Sequence, residues 1–287
     1  MLTEIDRVLV ATRDAETTAQ CWKDRLGASE VGRDRVAALS AARITLRAGT
    51  GDVEILEPDG TGLIADELKR RGRAHLFAAG AMSAGAASVA AHSAKNGAAV
   101  ETHDGRHYIT LTIEGAPIRF VVSPETKRER AGLLDFFYEA TVLAENQAAA
   151  VEQIARCFAL DPTSFTEITS EKFGYTGVLT LFEAGRLHRF EVITPTDMSK
   201  TMGRYYNRER ASFYMAFAES AQMPAIEGSA AGKNISVDRP DMRPGVRSSD
   251  QLWLHPAALD GMMLGVSRPT MAWRWSGKPE RVTNIDA

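Results

Sequence analysis

Acidic and imidazole side chains interrupt otherwise apolar runs at four places in this 287-residue chain. Glu54 stands in GDVEILEPDG, His75 opens HLFAAG, Glu139 lies inside FFYEATVLA, and Glu191 sits between Phe190 and Val192. A charge in such a run needs a partner or a polar cavity, because ionised groups are rarely buried alone. One imidazole and two carboxylates, as in His75, Glu139 and Glu191, can hold a divalent ion with open coordination positions. Zinc, manganese, iron, nickel or magnesium would serve, and an open position is what Lewis-acid chemistry on a carbonyl or enediolate requires. Without a metal, the same groups can move protons as general acids and bases. Structural roles compete with each of these. Strand alternation places Arg189, Glu191 and Ile193 on one face, so Glu191 can pair with Arg189. Glu54 can likewise pair with Arg7, and a lone strand histidine is commonly a satisfied structural one.

The elements that must position these residues recur along the chain. Ile5–Ala11 reads as a strand, Asp14 as a helix N-cap, Thr17–Leu26 as a helix and Gly27 as its stop. Two strands follow, Ile44–Arg47 and Val53–Leu56, with Gly49 and Gly51 in the turn between them. The order then repeats: strand His75–Ala79, helix Ser83–Asn96, and strands Tyr108–Ile113 and Ile118–Val122. After a charged linker, KRERAG, a third unit has strand Phe136–Ala144, an N-cap at Asn146, helix Ala148–Phe158, and strands Tyr175–Phe182 and Leu187–Ile193. The fourth opens with strand Phe213–Ala218 but shows no clear helix in the Gly-, Pro- and Ser-rich stretch from Gln222 to Asp250. It resumes at Leu252–Pro256 and Gly261–Pro269. Glu54 and His75 are 21 residues apart, and Glu191 and Tyr214 are 23 apart, so the second half reads as a diverged copy of the first.

This order predicts an α+β fold of four βαβββ modules, the last eroded. Two domains are expected, residues 1–126 and 133–275. A net charge of −3 and the lack of a basic, aromatic-interleaved stretch argue against a nucleic-acid partner. No run reaches the roughly 20 apolar residues of a membrane span. The N-terminal MLTEIDRVLVATRD lacks a signal-peptide pattern, and the two cysteines, Cys21 and Cys157, suit a reducing compartment, so a cytoplasmic location is expected. The expected partner is a small molecule, with a homodimer as a further possibility.

The segments IDRVLVATRD with Leu26-Gly27, GDVEILEPDG, HLFAAG and WLHPAALDGMMLGV resemble those of the vicinal oxygen chelate superfamily. That superfamily includes glyoxalases, extradiol dioxygenases, methylmalonyl-CoA epimerases and bleomycin-type resistance proteins. The resemblance implies modules curled in pairs into open cups of mixed sheet, with metal ligands on the first and last strand of each module. Those places hold Arg7 and Glu54, His75 and Phe120 (or Arg119), Glu139 and Glu191, and Tyr214 and Gly265. If modules two and three share a cup, His75, Glu139 and Glu191 converge on a metal, and donor chemistry favours this pairing. If one pairs with two and three with four, one cup holds Arg7, Glu54 and His75, and the other Glu139, Glu191 and Tyr214. Neither arrangement supplies two histidines, which argues against an extradiol dioxygenase.

The leading expectation is therefore a divalent-metal-assisted lyase, isomerase or ring-opening hydrolase acting on a small oxygenated organic compound. Glu191 or Glu139 would move the proton, and Tyr214 would donate a hydrogen bond or act as an acid. A non-catalytic sequestering protein is the alternative from another class, suggested by the aromatic cluster Phe136, Phe137, Tyr138, Tyr205, Tyr206, Phe213 and Tyr214. Metal-free acid–base catalysis by Glu54 and His75 beside Arg7 is the third. The cation-rich Arg204–Arg210 (RYYNRER) is expected to be a solvated loop, with receipt of an anionic substrate group near the cup entrance as the alternative.

Overall fold

The computed structural model describes residues 1–230, 237–238 and 250–283. The first module comprises β1 (Glu4–Ala11), α1 (Ala15–Leu26), β2 (Ser29–Val36), β3 (Ala41–Ala48) and β4 (Gly51–Pro58). A connecting helix, α2 (Leu63–Arg71), leads to β5 (His75–Ser83), α3 (Ala86–Lys95), β6 (Ala99–His103), β7 (Arg106–Ile113) and β8 (Ala116–Pro124). The third module is β9 (Phe136–Leu143), α4 (Gln147–Phe158), β10 (Thr166–Ser170), β11 (Tyr175–Leu181) and β12 (Arg189–Pro195), followed by α5 (Thr201–Glu209). The fourth is β13 (Ser212–Glu219), α6 (Met223–Ala230), β14 (Val237–Asp238), β15 (Gln251–Leu254), α7 (Pro256–Leu259) and β16 (Met263–Ser267).

Local chemistry accounts for the helix limits. The Asp14 carboxylate accepts a hydrogen bond from the Thr17 N–H, and the Asn146 side chain does the same for Ala149. Helix α1 stops at Gly27, whose φ of 63° lies in the left-handed region that favours glycine. The expected α+β repeat is present, and the fourth module keeps the βαβββ order. Helix α6 falls where no helix was expected; the rest of that irregular stretch, residues 231–236 and 239–249, lies outside the described residues apart from the short β14. Helices α2 and α5 were not anticipated. The Arg204–Arg210 segment is mostly the helix α5 rather than a loop, with Met202 and Tyr206 on its buried side. Strands β2, β6 and β10 were missed because they are polar edge strands that bury one face weakly or not at all.

Two eight-stranded sheets result, ordered β2-β3-β4-β1-β5-β8-β7-β6 and β10-β11-β12-β9-β13-β16-β15-β14. Module one therefore pairs with two, and three with four. This overturns the pairing of two with three. The reason lies in the antiparallel ladders between first strands, β1 with β5 and β9 with β13, which close each sheet within its own half. In both sheets the first and last strands of the modules make up the central four. One face of each sheet packs on helices: Val8, Val10, Phe190 and Val192 join Trp22, Val89 and Ile154 in one continuous core. The other face lines a cup.

The first cup is filled. Leu9, Leu56, Phe77 and Val121 pack with Ile64 and Leu68 of α2 across it. Deeper in, Glu54 accepts hydrogen bonds from Arg7 (2.8 Å), Arg43 (2.8 Å) and Arg106 (2.6 Å). Asp6 binds Arg7 and Arg128, and Asp52 binds Arg47 and Arg128. Gly80 admits this network, since a Cβ there would meet Arg7 Cγ at 2.2 Å. Burial acts to raise the Glu54 pKa, but the charges of Arg7, Arg106 and Arg43 outweigh it and hold the group down at about 2. Glu54 is thus an ionised structural centre rather than an available base.

Removing one partner of a buried ion pair leaves the other uncompensated. Glu54→Gln is expected to lower unfolding free energy by about 3–5 kcal/mol. Glu101→Gln, at an exposed site, should change it by no more than about 0.5 kcal/mol. Urea denaturation at neutral pH checks both, and equal effects would contradict the structural role of Glu54.

Candidate active site

The second cup keeps an open cavity of about 640 Å³. Its wall is largely aromatic and thioether: Phe173, Tyr175, Tyr214, Phe217, Trp253 and Trp275, with Met202, Met215 and Met263. Two carboxyl groups, Glu139 and Glu191, belong to the same wall. Strand alternation explains their direction. Ala140 and Val142 of β9 and Phe190 and Val192 of β12 face the helices, so Glu139, Thr141 and Glu191 must face inward.

Cross-strand register places the inward residues in two rows. Arg189, Glu139, Phe217 and Gly265 form one row across β12, β9, β13 and β16, and Glu191, Thr141, Met215 and Met263 form the next. Arg189 is fully buried, and its Nε donates to Glu139 Oε2 at 2.6 Å. Its Nη1 donates to Leu187 O and Ser276 Oγ, and its guanidinium carbon lies 4.9 Å from the Tyr138 ring centroid. Arg189 therefore pairs with Glu139 across the strands, not with Glu191 on its own strand. Along one strand, i and i+2 side chains stand side by side, whereas Glu139 lies directly opposite Arg189 in the parallel β9–β12 pair.

Among the described residues, no cation forms an ion pair with Glu191. Burial, and then the negative charge of Glu139, push its pKa well above the ordinary carboxylate range and favour its protonated form. The Thr141 hydroxyl lies 3.3 Å from Glu139 Oε1 and 2.5 Å from Glu191 Oε2. A hydroxyl has one proton, so it can donate to only one carboxyl. A protonated Glu191 resolves this: its O–H is shared with Glu139, and the Thr141 hydroxyl donates to Glu191 Oε2. Two phenols stand near this chain of hydrogen bonds. Burial, then Tyr205 and Glu191, push the Tyr214 pKa to about 12, and burial followed by the charges of Glu191 and Glu139 raises that of Tyr175. Both phenols stay protonated at neutral pH.

The donor set does not fit a metal ion. His75 begins β5 in the first sheet, so it does not join Glu139 and Glu191 in the second cup. Its Nδ1 lies 3.0 Å from the Arg73 carbonyl, and burial, with the charges of Arg71 and Arg70 adding to it, lowers its pKa to about 4. Gly265 and Phe217 occupy the remaining positions beside Glu139. A Cβ on Gly265 would come within 2.1 Å of the Phe217 ring, so no longer side chain fits there without moving that ring. The Arg189 cation already holds one oxygen of Glu139. Among the described residues, no group of three or more His, Cys, Asp or Glu is arranged to share an ion.

The other sequence candidates also find places. Tyr214 sits at an irregularity in the β13–β9 ladder, between Phe213 and Met215, and lines the cavity. Arg119 pairs with Glu67 of α2, whereas Phe120 faces the helix-side core. Thr141, Phe217 and Trp275 were not picked out. Thr141 and Phe217 look like ordinary strand residues until the β9–β13 register sets them beside Glu139. No helix among the described residues is long and apolar enough to cross a membrane.

No family model and no curated protein matches the sequence. Solved structures do match the fold. A triple variant of 4-hydroxymandelate synthase from Streptomyces coelicolor superposes with a TM-score of 0.68 at 13% identity, covering 98% of this chain and 99% of that one. A fusion of a xylose isomerase-like TIM barrel with 4-hydroxyphenylpyruvate dioxygenase superposes with a TM-score of 0.65 at 9% identity, covering 93% of this chain and 49% of that one. Both neighbours are enzymes of the vicinal oxygen chelate superfamily. The paired βαβββ modules, the central first and last strands and these superpositions together give this chain the vicinal oxygen chelate fold.

Proposed function

We propose that the chain is an acid–base enzyme, an isomerase or lyase, whose C-terminal cup moves a proton between carbon and oxygen of a small oxygenated molecule with a flat apolar body. The observation that carries this reading is a pair of buried carboxyls, Glu191 and Glu139, both within hydrogen-bond distance of the Thr141 hydroxyl at the wall of an aromatic cavity, with Glu191 pushed toward its protonated form. Two carboxyls in opposite protonation states are the pairing that general acid–base chemistry uses, and such a pair contributes on the order of 10²–10⁴ in rate.

In this reading Glu191 gives its proton to a substrate carbonyl oxygen while Glu139 takes one from the adjacent carbon. The Thr141 hydroxyl then passes the proton from Glu139 back to Glu191 and resets the pair. Tyr175 and Tyr214, protonated and on the same wall, are placed to donate hydrogen bonds to the oxygen as it gains charge. The ion pair with Arg189 holds the Glu139 carboxyl in place. No step calls for a metal, in line with the donor set of this cup. The expected metal-assisted route through His75, Glu139 and Glu191 lacks its third ligand. The route through Glu54 and His75 lacks a free base, because Glu54 is held by three guanidinium groups. A non-catalytic binding protein is the second reading, supported by the same aromatic wall; it predicts that a bound ligand is recovered unchanged.

Two measurements follow. Chelator-treated protein should take up less than one equivalent of zinc, manganese, iron, nickel or magnesium in equilibrium dialysis. Uptake of one tightly held ion per chain, lost in Glu139→Gln, would contradict the metal-free reading. In deuterium oxide with chelator, the protein should place solvent deuterium on the carbon beside the carbonyl of aryl hydroxy-ketones or aryl oxo-acids, followed by NMR. Glu191→Gln should slow this by on the order of 10²-fold or more. Because the neutral acid is the working form, exchange should fall as pH rises through the elevated Glu191 pKa. Exchange unaffected by Glu191→Gln across such a panel would rule the assignment out, and ligand binding without exchange would favour the second reading.

A further inference from the structure

The cup has a neighbouring cavity of about 280 Å³, and Thr201, Tyr214, His255 and Met263 belong to the walls of both. The two spaces differ in chemistry. The cup is aromatic and carries carboxyl groups, whereas the adjoining chamber is lined by Arg73, Arg204 and Arg208, with Tyr205 and the imidazoles of His75 and His255. No Asp or Glu is among its lining residues.

The local charge balance is strongly positive. Arg73, Arg208 and Arg71 all converge on a single carboxylate, Glu209, at 2.6, 2.7 and 3.0 Å. One negative charge cannot neutralise three guanidinium groups. Arg71, whose side chain is 5% exposed, also leaves its Nε without a hydrogen-bond partner. Arg204 adds a fourth cation, and its Nη1 is bonded only to the backbone carbonyl of Ser199. Arg73 and Arg208 stack their guanidinium groups near the Tyr205 ring, at 5.7 and 5.3 Å from its centroid, which fixes where their charge lies. Helix α5 and the segment before β5 bring these residues together from opposite halves of the chain. Planar guanidinium groups with spare N–H donors are well suited to grip carboxylate or phosphate oxygens.

We propose that this chamber receives an oxyanion group, carboxylate or phosphate, of the molecule whose flat apolar part lies in the C-terminal cup. The proposal rests on reading the cup as the substrate site, and it narrows the substrate class to amphiphilic anions. The shared wall at Tyr214 and His255 is the passage between the two parts of the molecule. The cations are partly open to solvent, with Arg73 and Arg208 side chains 42% and 57% exposed, so the grip weakens as salt screens it.

Three probes test this by titration calorimetry: naphthylpropionate, its uncharged amide, and naphthylethyl phosphate. At low salt at least one anion should bind roughly tenfold or more tightly than the amide. The double variant Arg204→Gln with Arg208→Gln should remove that advantage while amide affinity stays unchanged, which also shows that the cup is intact. Preference for one anion over the other identifies carboxylate or phosphate as the recognised group. Should the double variant not fold, Arg73→Gln, on the other half of the chain, carries the same test. Equal affinities of anions and amide, or an anion advantage that survives the variants, would overturn the chamber assignment while leaving the cup reading in place. Failure of all three probes to bind would overturn both.

Discussion

The buried ion pair between Arg189 and Glu139 determines the state of the groups around it. With Arg189 fully buried and paired through its Nε with Glu139, the carboxyl of Glu191 in the next row has no ion-pair partner among the described residues. A second anion in that position would face both loss of hydration and repulsion from Glu139, which raises the Glu191 pKa well above the usual carboxylate range. The Thr141 hydroxyl lies within hydrogen-bond distance of both carboxyls, and its single proton can serve only one at a time. That shared hydroxyl is what links the two carboxyls in the proposed proton transfer.

The two cups show how one fold can solve the same burial problem in different ways. Both carry charged residues on first and last strands. In the first, every acid is matched by guanidinium groups, helix α2 lies across the opening, and Gly80 makes room for Arg7. The charges cancel within the wall and little space remains. In the second, one acid is matched and one is not, Gly265 makes room for Phe217 instead of a charged side chain, and an aromatic cavity stays open. The fold alone does not decide which cup acts on a ligand; the arrangement of particular side chains does.

Much of the framework was legible in the sequence because it depends on local signals. Asp14, Gly27 and Asn146 mark helix ends through capping chemistry, and alternation in Phe190–Ile193 correctly aims Glu191 inward. The four-module order follows from such signals repeated along the chain. What could not be read depends on pairing between distant strands. His75 was grouped with Glu139 and Glu191, because donor type alone does not say which modules share a sheet. The structural reading in which Glu191 pairs with Arg189 fails for the same reason, since β9–β12 register joins Arg189 to a residue 50 positions away. The RYYNRER segment read mainly as a solvated loop, with an anion-receiving role as the alternative, because its apolar stripe is short and its cations are conspicuous; the chamber it lines also draws on Arg73 from the other half.

The protonation state of Glu191 is the most direct test of this account. Infrared difference spectra between the wild-type protein and Glu191→Gln at neutral pH would report it, because a neutral carboxylic acid and an ionised carboxylate absorb in separate regions. A carboxylic-acid carbonyl band in the wild type, absent from the variant, is the predicted result. A difference confined to the carboxylate bands would show that Glu191 is ionised and would contradict the acid–base pair at the centre of the proposed function.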